Sequence, residues 1–164
     1  TPAVAPTEAE LEEAFHKRRE ELRRPARYSI EHVYLTRERA DEVAGIRATI
    51  HSEALNAEQA RKLSSPFLPG YRFNAQSPAQ LARNFGAGFV LNFEKLSPRA
   101  GAWIGPVEST YGFHLVWVEA LEPSRDARLD EVREQLLRDL KLEQRRIRLR
   151  EAVAALRENY EVIL

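Results

Sequence analysis

Residues 105–121 read GPVESTYGFHLVWVEAL, and this stretch decides the architecture. Gly105-Pro106 ends the apolar segment GAWIGPV, residues 108–112 (ESTYG) supply turn chemistry, and FHLVWVEAL resumes with the aromatic and β-branched types that favour strands. Two strands joined by so short a turn predict an antiparallel hairpin. His114 is the unexpected residue, a titratable ring among large apolar neighbours.

Upstream, YSIEHVYL at 28–35 alternates and predicts another strand, with His32 sharing a face with Ile30 and Tyr34. Thr36 then reads as the N-cap of a helix whose stripe is Ala40, Val43, Ile46 and Ile50, and AEQARKL predicts a short helix over 57–63. The segment 64–78, SSPFLPGYRFNAQSP, carries three prolines and a glycine and reads as loop, with at most one short strand at YRF. Helical spacing returns through Leu81, Phe85, Phe89 and Phe93, as one helix or, given Gly86 and Gly88, as two short ones.

The flanks read as helical arms. Thr7-Glu8-Ala9-Glu10 is a capping box that opens a helix through Leu11, Phe15 and Leu22, expected to end before Pro25. After Pro123 a long charged helix is predicted over 128–157 on the stripe Leu129, Val132, Leu136, Leu140 and Ile147, with RRIRLR as a solvated face and the tail YEVIL as a strand. The order β-α-α-β-α-β-β between such arms predicts an α+β fold built on a small, mostly antiparallel sheet with surrounding helices. Three segments follow: a linker and helical arm at 1–27, a central domain at 28–123, and a long helix with a terminal strand at 124–164.

Composition narrows the function classes. Across 164 residues, Lys plus Arg and Asp plus Glu both number 25, so no net charge draws the molecule to nucleic acid or an anionic membrane. The lack of cysteine excludes disulfides, thiolate metal sites and thiol catalysis. Four histidines without a His-x3-His pair lack zinc-ligand spacing, and neither a metal nor a cofactor is expected. Ser64-Ser65 has no G-x-S-x-G context, and GAGF lacks the Gly-Lys-Ser/Thr ending of a phosphate loop. His16 and His51 fall in helical stretches and read as surface residues. No apolar run reaches the ~20 residues that span a bilayer, and TPAVAP has no signal-peptide architecture. It reads as a linker, with any membrane anchor expected outside the sequence.

Over residues 28–121 the chain resembles the parvulin family of peptidyl-prolyl cis-trans isomerases. The likeness rests on WIGPVESTYGFHLVWV, a Gly-Pro-Val followed by a short turn, Gly-x-His and an apolar strand, and on EHVYL in the opening strand. The resemblance implies that His32 and His114 sit together under the catalytic pocket, and that Phe85 and Phe89 form the proline cup with Leu96 further along. Taken singly, each histidine reads as a satisfied core residue and the two phenylalanines as core; together, inside this frame, they point to a shared site. The middle departs from the family. Where a Gly-Gly-Asp-Leu-Gly type strand and a Cys or Asp near the substrate amide are usual, this chain has SSPFLPGYRF, so only Ser64 or Ser65 is placed for that role, and Ser65 is taken as the candidate. The link SPRAGAW is also longer than usual.

The implied activity is non-covalent isomerisation of X-Pro bonds in unfolded or flexible, proline-containing polypeptides, with chaperone-like contact from the arms. The alternative is a parvulin-like holdase or assembly module that is catalytically weak. The arms resemble those of extracytoplasmic bacterial foldases, which implies a periplasmic or membrane-anchored setting, with the cytoplasm as the alternative, and a homodimer formed through the arms.

Overall fold

Four antiparallel strands form the sheet: β1 (Arg27–Thr36), β2 (Arg72–Gln76), β3 (Ala102–Glu108) and β4 (Gly112–Glu122), in the order β2-β1-β4-β3. The computed structural model describes residues 4–161. They fall into two compact units, one from Pro25 to Ser124 that contains the sheet and one made of the flanks up to Arg24 and from Arg125.

The β3–β4 hairpin is where the opening stretch predicted it, and two glycines set its geometry. Ile104 pairs with Val116 and Val107 with His114, so β3 carries one extra residue, a bulge that absorbs Gly105-Pro106 on an edge strand. At Gly105 φ is +129° and a Cβ would lie 2.8 Å from the His114 carbonyl oxygen. A Cβ on Gly112 would collide with the Leu35 carbonyl oxygen of β1. Only glycine lets the chain enter β4 this close to β1, and that entry brings His114 opposite Tyr34.

Because side chains alternate along strands, the sheet has two distinct faces. On one, Tyr28, Ile30, Tyr34, Val107, Val116 and Val118 pack against Leu81, Phe85, Phe89, Val90 and Phe93 from α4 (Pro78–Phe85) and α5 (Ala87–Lys95). Ser77 caps α4 through a reciprocal bond with Gln80, and Gly86, at φ +89°, breaks the run into two helices, the second of the two arrangements its spacing allowed. On the other face, Val33, Leu35 and Leu115 pack against α2 (Val43–Ser52) and α3 (Ala57–Arg61).

Two boundaries in this unit differ from expectation. Thr36 makes no capping bond, Ala40 is exposed, and the α-helix begins only at Val43, after a 3₁₀ segment at Arg37–Glu42. Arg39 explains the delay: at φ −97°, ψ 17° it leaves helical geometry, and its guanidinium donates to the Leu63 carbonyl, Ser65 Oγ and the Glu42 carboxylate. The strand expected at YRF is longer, running to Gln76.

In the other unit, α1 (Glu8–Lys17) opens on the Thr7–Glu10 capping box, and Leu11 and Leu22 pack with Ala127, Val132 and Leu136 of the segment leading into and along α6 (Leu129–Glu161). Helix α1 ends at Lys17 rather than just before Pro25. The next turn is captured by ion pairs, Arg18 to Asp139 at 2.9 Å and Arg19 and Arg23 to Asp126, and Arg24 exchanges backbone bonds with Arg125. Tertiary pairing here outcompetes continuation of the helix. Helix α6 continues through Tyr160 and Glu161, so these residues of YEVIL are helical rather than extended, and the rest of that predicted strand lies outside the described residues. Ile147, expected in the buried stripe, is exposed. No helix among the described residues is long and apolar enough to cross a membrane.

Candidate active site

His32 projects from β1 and His114 from β4 onto the same face, and both rings are buried. Their Nδ1 atoms lie 3.1 Å apart. The outer bonds assign the protons. His32 Nε2 is 2.8 Å from the Gly70 carbonyl oxygen, which can only accept, so Nε2 carries the hydrogen and Nδ1 is bare. His114 Nδ1–H must then donate to His32 Nδ1, which leaves His114 Nε2 to accept from the Ser109 hydroxyl at 2.6 Å. Ser109 Oγ in turn accepts from the Tyr111 N–H at 3.1 Å. The chain Tyr111–Ser109–His114–His32–Gly70 is closed with both imidazoles neutral. Burial first, and for His114 the neighbouring ring second, holds both pKa values well below the ordinary histidine range.

Ser109 was not singled out from the sequence, although its place in the ESTYG turn just ahead of Gly-x-His was the available signal. Replacing it with alanine strips His114 Nε2 of its donor and should cost about 1–3 kcal/mol, the penalty for orphaning a buried acceptor. Urea denaturation followed by tryptophan fluorescence measures this, and the His114 ring resonances should move while the sheet is retained.

Aromatic rings enclose the pair. Phe85 stands edge-on to His32 at 5.1 Å and to His114 at 5.2 Å, Phe89 is edge-on to His114 at 5.2 Å, and the two phenylalanines stack on each other at 4.3 Å. Tyr34 stacks on His114 at 5.2 Å and its hydroxyl donates to the Tyr111 carbonyl. Such edge and stacked contacts each add about 0.5–1.5 kcal/mol beyond the burial itself.

The structure thus gathers His32, His114, Phe85 and Phe89, but the open hollow expected above them is filled. Phe67, from the loop that replaces the usual central motif, stacks on Phe85 at 5.4 Å and stands edge-on to His32 at 4.9 Å and to His114 at 5.5 Å. It is itself buried, and Phe85 and Phe89 have no exposed surface. The loop holds Phe67 in place: the Ser65 N–H donates to the Tyr34 carbonyl, the Phe67 N–H to the Tyr71 hydroxyl, that hydroxyl to the Ser65 carbonyl, and the Gly70 N–H to the Phe67 carbonyl. Leu68, next in sequence, is fully exposed. Reading SSPFLPG as a plain loop missed Phe67, because an apolar residue between two prolines carries no periodic signal.

Two other expected residues stand differently. Ser65 is buried, but its hydroxyl accepts from Arg39 at 2.9 Å and is committed to anchoring the loop. Ser64 is equally engaged, its Oγ accepting from the Tyr34 N–H. Leu96 caps the end of α5, is 46% exposed, and is not packed into the core cluster of Phe85 and Phe89. Among the described residues, no group of three or more His, Asp or Glu side chains is placed to hold a metal ion.

Comparison with known proteins gives three results. The family model described as the PPIC-type PPIase domain matches residues 6–134. No curated protein matches the chain. Among solved structures, a SurA-like chaperone from the work on PEB4 and the periplasmic protein Cj1289 of Campylobacter jejuni aligns at a TM-score of 0.52 and 15% identity, over 94% of this chain and 63% of its own. The peptidylprolyl isomerases PrsA of Bacillus cereus and Bacillus anthracis align at TM-scores of 0.49 and 0.44 and identities of 14% and 18%, over 84% of this chain in both cases and 47% and 56% of their own. The chain spans under two thirds of the length of each. With the family model covering most of the sequence and the two end motifs folded onto one antiparallel sheet, the chain belongs to the parvulins, the PPIC-type peptidyl-prolyl isomerase domain family.

Proposed function

We propose that the sheet-bearing unit binds proline-containing segments of flexible polypeptides and accelerates their cis-trans isomerisation without covalent chemistry, in the hollow that Phe85, Phe89 and the His32–His114 pair line once the Phe67 ring is displaced. The observation that carries this reading is the 3.1 Å Nδ1–Nδ1 bond between imidazoles from opposite ends of the family frame, under two stacked phenylalanines.

The X-Pro barrier of roughly 18–20 kcal/mol comes from amide resonance, and the transition state is a twisted C–N bond whose nitrogen has become pyramidal. A site lowers that barrier by binding the twisted form better than either planar form. An apolar cup serves because it grips the pyrrolidine ring while the preceding carbonyl turns. The neutral, fully hydrogen-bonded imidazoles supply a rigid floor that needs no counter-charge. The proline ring would take the place the Phe67 ring now holds, so binding requires the 64–70 loop to swing aside. Ser65 enters this reading only through that movement, as a loop anchor held by Arg39.

A second reading is favoured by Phe67 itself: a hollow filled by the chain's own side chain fits a domain that holds clients without turning over their prolines. Exchange spectroscopy on a short peptide with one Ala-Pro bond, with the protein present in substoichiometric amount, separates the two. Cis-trans exchange accelerated at least tenfold and lost in Phe89→Ala supports catalysis. Broadening of peptide resonances with unchanged exchange supports holding. A setting outside the cytoplasm, like that of the periplasmic protein Cj1289, and pairing of the arms of two copies belong to this proposal as well.

A further inference from the structure

The face of the sheet opposite the imidazoles carries a groove of 640 Å³ that isomerisation does not use. Its floor is one transverse row of side chains in register across all four strands: Arg72 on β2, Glu31 on β1, Trp117 on β4 and Trp103 on β3. Helices α2 and α3 cover the neighbouring row, Val33 and Leu115, and part of Trp103, and leave the rest of this row to line the groove. Their connecting turn forms the wall, where the Leu55 carbonyl accepts from Trp103 Nε1 at 3.2 Å.

The chemistry of this floor is selective. The two indoles, 5.8 Å apart and tilted by 53°, are each half-buried, and part of each ring lines the groove. Among the described residues nothing accepts a hydrogen bond from the Trp117 indole, so its Nε1–H is available as a donor. Three carboxylates, Glu31, Glu58 and Glu119, line the groove against the single guanidinium of Arg72. Glu31 is paired with Arg61 and Glu119 with Arg72, and among the described residues Glu58 on the rim has no ion-pair partner.

We propose that this groove binds an extended, proline-rich polypeptide segment bearing a basic residue. Aromatic-lined grooves recognise the polyproline II helix because that conformation is already ordered and its backbone carbonyls are unsatisfied, so a ring face meets proline while an indole N–H meets a carbonyl. Here the parts of the Trp103 and Trp117 rings that line the groove would take prolines, the Trp117 Nε1–H a peptide carbonyl, and Glu58 an arginine or lysine. Because β1 and β4 present alternate residues to opposite faces, this surface is distinct from the His32–His114 site and does not depend on catalysis there. The domain would then contact a client at two places.

The test uses the full chain and a labelled peptide, Pro-Pro-Arg-Pro-Pro-Arg-Pro-Pro, followed by fluorescence anisotropy and by ¹H–¹⁵N spectra in which the two indole N–H signals are separate. Saturable binding should shift the Trp117 indole signal downfield and move the Trp103 signal less. Trp117→Phe, which keeps a ring and loses the donor, should weaken binding about fivefold, the equivalent of one net hydrogen bond. Glu58→Gln, which removes the rim charge and keeps the side chain's shape in the first turn of α3, should weaken the arginine-bearing peptide at least threefold and leave an all-proline peptide unchanged. Neither variant should alter isomerisation, so failure here and failure of the isomerase reading are told apart. No binding at millimolar peptide, binding unchanged in both variants, or perturbations centred on His32, His114 and Phe85 would overturn the proposal.

Discussion

Lowering the pH from 7.5 to 5 should remove on the order of 4 kcal/mol from the unfolding free energy of the sheet-bearing unit, about 2 kcal/mol for each of the two buried imidazoles. In the folded state His32 and His114 are neutral and stay so, with the pKa of His32 held down at about 4 and that of His114 lower still by burial and by its neighbour. In the unfolded chain both return to the ordinary value of 6.5. The unfolded state therefore binds more protons than the folded one below that value, and stability is complete above pH 6.5 and falls as the pH drops toward 4. The exposed carboxylates with lowered pKa values, Glu42 in this unit among them, act only below their own ordinary value of 4.5 and do not blur the window. Both tryptophans lie in this unit, so urea unfolding followed by tryptophan emission at a series of pH values reads it directly. His114→Asn, which keeps a hydrogen-bonding side chain but cannot titrate, should halve the slope. A flat profile between pH 7.5 and 5 would mean that the two rings are not buried as a neutral pair.

The second large effect is expected from Phe67→Ala, and it should combine two changes that usually oppose each other. The ring is buried against Phe85, His32, His114 and Tyr34, so its removal should cost about 3 kcal/mol of stability, the low end for a phenylalanine truncated in a core, because the vacated space opens to solvent. The same truncation clears the place proposed for the substrate proline. If the loop is swung aside only in a small fraction of wild-type molecules, apparent affinity is reduced by that fraction, and deleting the plug restores it. Cis-trans exchange of the Ala-Pro peptide should then accelerate at least tenfold beyond wild type, although the variant is less stable. Loss of stability with no gain in exchange would show that the filled hollow is not what limits the activity, and would leave the holding function as the better account. Phe67→Leu, with a smaller stability loss, should give an intermediate gain.

Much of this molecule is legible from residue order. Strand alternation around His32 and His114, the Gly-x-His entry into a hairpin and the Thr7 capping box are local signals, each set within a few residues, and each appears in the fold as read. Glycine at 105 and 112 is dictated by backbone geometry, so the motif that identified the family is the one that brings the histidines together.

What the linear order did not reveal depends on partners distant in sequence. Helix α1 stops early because Asp126 and Asp139 draw in the arginines that follow it, and α2 starts late because Arg39 is held by Leu63 and Ser65. Ser65 looked available for substrate only while Arg39 was out of view. Phe67 and Ser109 lie in loops without periodicity, and their roles exist only where the 64–70 loop and the 108–112 turn meet over the imidazoles. Residue order therefore determined the strands, the hairpin and the face each histidine takes on its own strand, because these follow from side-chain alternation and turn chemistry, while the meeting of the two rings was legible through the family resemblance. The tertiary structure alone decided that the hollow above them is filled and that two half-buried tryptophans line a groove on the far side, because the coverage of a surface depends on which distant segments reach it.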